Sequence, residues 1–372
     1  MTDKSTKETV SAAAKFHSDI KDFFTTSLKL TLKKPSMTPF LTKTFFNQIK
    51  AAKIRSKFLE KGTIVPPLMI FSITNKCNLN CAGCYSHAHK RDEKKMMSTE
   101  EIEKMMSEAE QIGISIVMIA GGEPFIRQDI HDIVGKHPKI VFPVFTNATL
   151  IDEQIAEIIS KTKNLIPVLS IEGNETHTDN RRGEGIYDTF RSAISHLNKK
   201  KIFWGISITV TRENYSLVTG KAFIENLIEL GGNLFFFVEY VPIHEATMNL
   251  VLTNEQKSGL AKKVSSLSSE YKALFATLPG DEENYGGCLA AGRGFIHINA
   301  GGDIEPCPFA PYSDINVKTM TILEALEKSR LLASIRENHS ALTETAGGCA
   351  LWAHREWVRS LLNKPTEPSP VK

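Results

Sequence analysis

No stretch of this 372-residue chain approaches the roughly 20 consecutive apolar residues that span a bilayer. The N-terminus, Met1-Thr-Asp-Lys-Ser-Thr-Lys-Glu8, has no apolar signal core, so a cytoplasmic protein is expected. Cysteine is scarce: six residues are too few for a disulfide scaffold at this length. No ladder of stacking aromatics interleaves the basic residues as an RNA platform requires, and no nucleic-acid partner is expected. Net charge is only +3, and 41% hydrophobic with 23% charged residues is ordinary for a globular protein. The length exceeds one average domain and suffices for a large core.

What is scarce is also concentrated. Three of the six cysteines, Cys77, Cys81 and Cys84, follow directly on the apolar run Leu68–Thr74 with C-x3-C-x2-C spacing. Three thiolates on one loop hold an iron–sulfur cluster with one iron left open to a non-protein ligand. The competing reading adds His87 and closes a four-ligand zinc site. Exposed clusters of the first kind call for a reducing, oxygen-poor setting.

Charge is also unevenly placed. Residues 1–64 carry thirteen Lys/Arg against five Asp/Glu, a net +8, which leaves −5 on residues 65–372. Phe23-Phe24, Leu28–Leu32, Phe40-Leu41, Phe45-Phe46 and Phe58-Leu59 interleave with those lysines. The pattern fits a helix docked by one face on the rest of the protein. It also fits an arm on an anionic membrane surface, hence a peripheral membrane location, or a cap over an anionic site.

From residue 68 a strand–helix rhythm begins. Apolar, β-branched runs at 68–74, 115–121, 140–147, 165–172, 203–211 and 234–241 read as buried strands. Ser98-Thr-Glu-Glu101 opens a helix with a capping signature. Segments 129–135, 152–161, 187–199 and 218–230 supply the others, and 254–278 reads as a long helical stretch. Six such repeats predict an α/β fold, a parallel sheet curled into a partial (β/α)6 TIM-type barrel, with ligands at the C-terminal strand ends. The expected organisation is a basic helical segment 1–64, the barrel 65–245, a linking helical segment 246–285, a small domain 286–360 with a hairpin about Ala300-Gly-Gly302, and a Pro-rich tail 361–372.

Four motifs at predicted strand ends carry a resemblance. Thr74-Asn-Lys-Cys77-Asn-Leu-Asn-Cys81-Ala-Gly-Cys84-Tyr85, Ala120-Gly-Gly-Glu-Pro124, Phe145-Thr-Asn147 and Ser170-Ile-Glu-Gly173 occur in the order seen in the radical S-adenosylmethionine (SAM) superfamily. The resemblance covers about residues 66–245. It implies that Cys77, Cys81 and Cys84 hold a 4Fe–4S cluster whose open iron chelates SAM. It implies that Gly121, Gly122, Glu123 and Pro124 approach SAM, with Glu123 toward its ammonium. Asn147, Ser170, Glu172 and Thr209 would line the barrel mouth for ribose and methionine groups, and each has an alternative role as a cap or turn residue. Tyr85 would pack on the adenine or serve the fold.

The remaining cysteines, Cys288, Cys307 and Cys349, flank the hairpin and resemble the C-terminal SPASM and twitch domains that bind auxiliary iron–sulfur clusters. Three cysteines allow one auxiliary cluster. The C-x2-C pair usual in twitch domains is absent, because positions 346 and 352 are Ala and Trp. Either the fourth iron is open to substrate or a non-cysteine group closes it; three buried free cysteines are the structural alternative. In the loop after the fourth strand, Arg182 is a candidate for a SAM or substrate carboxylate or a solvated charge, and Glu239-Tyr240 ends the sixth strand facing pocket or solvent. No acid–base residue is singled out.

The resemblance implies an oxidoreductase or transferase that cleaves SAM reductively to a 5′-deoxyadenosyl radical and abstracts hydrogen from an unactivated carbon. The substrate is unknown: peptide or protein maturation, oxidation of a small molecule or lipid, and C–C or C–S bond formation are all open. Flavodoxin or ferredoxin is the expected electron donor. A non-catalytic iron–sulfur or zinc module is the rival reading.

Overall fold

The computed structural model describes residues 2–28, 37–89, 91–92, 95–242, 245–278, 285–342 and 349–363, with side chains described between residues 11 and 362. Lys29–Leu32, Gly347-Gly348, Ala346 and the Pro-rich tail from Lys364 lie outside the described residues, as do 279–284 of the expected linking segment.

One nine-stranded sheet organises the chain. The strands are β1 Leu68–Thr74, β2 Ile116–Gly121, β3 Phe142–Thr146, β4 Leu165–Ile171, β5 Gly205–Val210, β6 Leu234–Glu239, β7 Leu274–Leu278, β8 Phe295–Ile298 and β9 Ile304–Glu305. They run in the order β7-β6-β5-β4-β3-β2-β1-β8-β9. All neighbours are parallel except β8 and β9, which form an antiparallel hairpin. The expected partial TIM-type barrel is therefore present.

Both faces of the sheet are apolar, which is why these strands read as continuous hydrophobic runs. Side chains alternate by twos between two cores. Met69, Phe71, Ile73, Val117, Ile119, Phe235 and Phe237 face the outer layer of helices. Leu68, Ile116, Met118, Ile166, Val168, Leu234 and Phe236 face inward. Helices α1 (Thr2–Ser27) and α2 (Thr38–Leu59) fill that inner space from the strand N-terminal ends, burying Phe24, Met37 and Leu41 there. The docked-helix reading of the N-terminal segment describes these contacts. Among the described residues of this segment, Phe46 is the exposed large hydrophobic. No helix among the described residues is long and apolar enough to cross a membrane.

Local chemistry sets the helix starts. Ser98 accepts from the Glu101 amide and the Glu101 carboxylate accepts from the Ser98 amide, a closed capping box ahead of helix Thr99–Ile112. Asp152 caps helix Glu153–Lys161 in the same way on one side only.

Two features differ from the sequence expectation. The stretch 254–278 is helical only over Asn254–Glu270; Leu274–Leu278 is β7, paired with β6 from Leu234↔Leu274 to Val238↔Leu278. The edge of β6 offers unpaired amides and carbonyls, and this short apolar run satisfies them. Segment 218–230 divides at Gly220 into Tyr215–Val218 and Lys221–Glu229. The expected hairpin forms, but β8 lies against β1 in parallel, so the C-terminal region extends the barrel sheet.

Candidate active site

The loop between Thr74 and Tyr85 leaves the C-terminal end of β1 with Cys77, Cys81 and Cys84 half-buried on it. Burial pushes the thiols of Cys77 and Cys81 up, and the Arg182 and Arg181 charges oppose this at Cys81. Gly83 sits at φ +69°, and a Cβ there would lie 2.8 Å from the Tyr240 hydroxyl, so the loop turns against a buried tyrosine at the end of β6.

The Gly-Gly-Glu-Pro segment at the end of β2 is a wedge under this loop. The Gly122 amide donates to the Thr74 carbonyl at 2.8 Å and the Glu123 amide to the Lys76 carbonyl at 2.8 Å. A Cβ on Gly122 would stand 1.9 Å from the Lys76 carbonyl oxygen. Gly121 has φ +126° and would place a Cβ 2.4 Å from the Thr74 carbonyl oxygen. In this structure, then, the glycines admit the backbone of the cysteine loop itself. Gly122→Ala is expected to cost roughly 3 kcal/mol or more, because backbone rather than a side chain must move. Denaturant unfolding and bound iron per chain measure it.

Glu123 is fully buried and ties β2 to β3. Its Oε1 accepts from the Phe125 amide (3.1 Å) and the Thr146 hydroxyl (2.8 Å), and its Oε2 from the Asn147 amide (2.7 Å). Burial raises its pKa, and these donors pull it back. Three of about four acceptor positions on the carboxylate are thus used within the protein. Asn147 steers the cysteine loop: its Nδ2 donates to Asn78 Oδ1 at 2.8 Å and lies 4.0 Å from Cys77 Sγ. Its Oδ1 accepts from the Thr149 amide and hydroxyl. Pro124 is buried beside Phe125.

Glu172, at the end of β4, is 3% exposed and clamped by two arginines of the following helix, Glu175–Arg182. Arg182 holds it through Nε (2.6 Å) and Nη2 (2.8 Å), and Arg181 through Nη1. Burial would raise the Glu172 pKa, but the Arg182 and Arg181 charges hold it below the usual range. Arg181 also donates to Thr209 Oγ1 (2.7 Å) and reaches the cysteine loop, where its Nε donates to the Ala82 carbonyl and its carbonyl accepts from the Ala82 amide. Glu172, Thr209 and the loop are therefore one network. Ser170 is half-buried in register with Ser207 of β5.

Cys288, Cys307 and Cys349 are all buried. Arg293, fully buried, donates to the carbonyls of Tyr285, Gly287 and Cys288 and so fixes the turn before β8. The Ala291 amide donates to the Pro306 carbonyl, joining the Cys288 turn to the Cys307 segment. Tyr85, next to Cys84, meets Phe309, two residues past Cys307, edge-on with ring centroids 5.2 Å apart. Burial pushes the Tyr85 phenol up, and the charges of Cys84 and Cys307 add to the shift. Tyr85 thus stands between the two cysteine groups.

Sequence reasoning did not find Arg181, Asn78 or the buried chain Ser72–His297–Glu305–Arg91. Ser72 Oγ and His297 Nε2 are 2.8 Å apart, His297 Nδ1 and Glu305 Oε2 2.8 Å, and Arg91 Nη2 meets the same oxygen at 2.7 Å. Asn299 Nδ2 donates to Glu305 Oε1 at 2.8 Å. This chain stitches β1 to the hairpin just ahead of Cys307. The only local signal was a histidine amid the apolar residues of β8.

Among the described residues no three His, Cys, Asp or Glu side chains converge on a single-ion site. His87, the fourth ligand of the zinc reading, has its Nδ1 2.8 Å from Asn80 Oδ1. Three thiols around one loop, with the Arg182 and Arg181 charges offsetting part of the burial penalty at Cys81, are a donor set that suits a cluster with one open iron.

Fold and site together define a cluster-bearing partial barrel. A family model described as the Radical SAM superfamily matches residues 71–218. The chain is 30% identical over 323 residues to the mycofactocin maturase MftC of Mycobacterium tuberculosis (strain ATCC 25618 / H37Rv), covering 81% of this chain and 79% of that protein. It is 24% identical over 322 residues to an AdoMet-dependent heme synthase of Methanosarcina barkeri, covering 79% and 90% respectively. Among solved structures, Streptococcus suis SuiB bound to S-adenosylmethionine shares the fold with a TM-score of 0.64 at 20% identity, over 87% of this chain and 82% of SuiB. The chain belongs to the radical SAM superfamily, with a SPASM/twitch-like C-terminal region. It is an enzyme, and a 4Fe–4S cluster and SAM are its cofactors.

Proposed function

We propose that Cys77, Cys81 and Cys84 hold the SAM-binding cluster, that Cys288, Cys307 and Cys349 hold an auxiliary iron–sulfur cluster, and that the substrate is a peptide. The bound cluster and SAM supply a 5′-deoxyadenosyl radical by reductive cleavage of the sulfonium. The chain's own residues position and shield. The Gly121–Pro124 wedge and Asn147 set the height of the cysteine loop above the strand ends. Arg181 fixes its far side and holds the Thr209 hydroxyl. Ser170 and the strand-end backbone offer polar contacts to SAM. Flavodoxin or ferredoxin supplies the electron.

One observation carries the two-cluster reading: Tyr85 against Phe309 joins the Cys84 loop to the Cys307 segment. The peptide reading is supported by the 30% identity to a maturase. SuiB, which shares the fold, has also been solved with a precursor peptide. A second reading, a tetrapyrrole substrate, is favoured by the alignment spanning 90% of a heme synthase. Anaerobic turnover with dithionite, using deuterated peptide and deuterated porphyrin fractions separately, distinguishes them. Label entering 5′-deoxyadenosine from the peptide fraction supports the first reading; label from porphyrin alone replaces it with the second.

Cys307→Ala is expected to leave SAM cleavage within about twofold while product formation drops at least tenfold, a split that isolates the second cysteine group. 5′-Deoxyadenosine and product are quantified from the same reaction. Unchanged product yield removes the auxiliary-cluster role.

A further inference from the structure

Far from the cysteine loop, at the strand N-terminal ends, α1 and α2 enclose a cleft of about 260 Å³. At its base Arg55 is 1% exposed. One terminal nitrogen, Nη1, donates to the Gly113 carbonyl at 2.6 Å and approaches Ser115 Oγ at 3.5 Å. Its Nε is buried without a partner, and among the described residues the guanidinium donates only through Nη1. A buried guanidinium ordinarily faces a carboxylate, because an uncompensated charge in the interior is costly. None of the nine residues lining this cleft is acidic. Burial alone lowers Arg55 to about 10, with no opposing acid.

His17 of α1 lines the same cleft, and its Nε2 is also buried without a partner. Its ring meets the Val65 carbonyl, and burial with the Arg55 charge lowers it to about 4, so it is neutral at pH 7. Lys21 of α1 and Lys53 of α2 stand exposed at the rim, with no acidic partner among the described residues. Ile20 and Ile49 make an apolar wall.

We propose that this cleft is a binding site for a phosphate group carried on an organic residue. The Nε–Nη2 edge of a guanidinium presents two parallel donors that match two oxygens of a phosphate. Three cations without an acid favour a doubly charged oxyanion over a carboxylate. The apolar wall takes the ester portion. The same chemistry is offered by a soluble phosphate ester and by a phospholipid headgroup. The site is separate from SAM cleavage and does not depend on the identity of the substrate.

The test uses the full-length, cluster-reconstituted protein under anaerobic conditions. Potassium phosphate is titrated against potassium chloride at equal ionic strength while thermal unfolding is followed, since a ligand of the native state raises Tm saturably. Lys53→Glu, an exposed change, is expected to weaken the apparent affinity about tenfold or more. Arg55→Lys keeps the charge but loses the paired edge and is expected to weaken it similarly. Co-sedimentation with phosphatidic acid vesicles, against phosphatidylcholine vesicles, separates the sources. Capture that Lys53→Glu abolishes assigns a lipid headgroup; free phosphate binding without capture assigns a soluble ester. No saturable Tm rise in the unmodified protein, or an equal rise in both variants, overturns the site.

Discussion

Cys84→Ala is expected to abolish SAM cleavage, with 5′-deoxyadenosine formation under dithionite falling at least about a thousandfold. The residue has no substitute within reach. Cys84 closes the three-thiol loop and also begins the Tyr85–Ala88 turn as its N-cap, in an extended conformation that starts the chain toward Phe309. The nearest nitrogen ligand in sequence, His87, is engaged with Asn80. Two thiols retain a cluster poorly, so iron per chain and the absorbance near 400 nm should fall with activity. Cys84→Ser keeps the shape of the loop and separates ligand loss from misfolding: it too should lose cleavage, while its cluster-free form unfolds at the same denaturant midpoint as the cluster-free unmodified protein. Full cleavage by either variant would mean that the open iron is not held at this loop.

The cysteine loop was legible because its residues are chemically distinctive and lie within twelve positions of one another. The six barrel strands were legible for a different reason: a sheet buried on both faces demands near-continuous apolar runs, and Leu68–Thr74 and Leu165–Ile171 are such runs. β7 was not, since a five-residue run with four apolar positions after a helix carries no period that separates strand from helix; the open edge of β6 decided it. The glycines of the Gly121–Pro124 segment are expected from sequence to approach SAM; that the Thr74 and Lys76 backbone presses on them is not readable there, because that contact joins two strand ends some 45 residues apart. The chain Ser72–His297–Glu305 joins positions 225 and 8 residues apart, and no local pattern links them. Arg55 is the extreme case. On sequence it is one of thirteen cations in a basic segment; in the fold it is buried against Gly113 and faces a cleft.

Glu172→Ala is expected to destabilise the fold by about 3–5 kcal/mol, the range for removing one partner of a buried ion pair. The cost arises because, among the described residues, this carboxylate is the ion-pair partner of both Arg181 and Arg182, whose side chains are 20% and 11% exposed. Without it their charges repel across a nearly dry space, and the release of Arg181 frees Thr209 and the Ala82 end of the cysteine loop together. Stability and iron retention should therefore fall in parallel, which a purely local defect would not produce. Acid gives an independent check. The folded-state pKa of Glu172 is lowered, so its stabilisation is fully present above its unfolded value of about 4.3 and is lost as pH falls through the folded pKa. The difference in unfolding free energy between the unmodified protein and Glu172→Gln should be constant above roughly pH 5 and shrink below pH 4. A difference that stays level through that acid range, or a variant that keeps its full iron content, would remove Glu172 from the support of the loop and leave the wedge at Gly121-Gly122 to hold it alone.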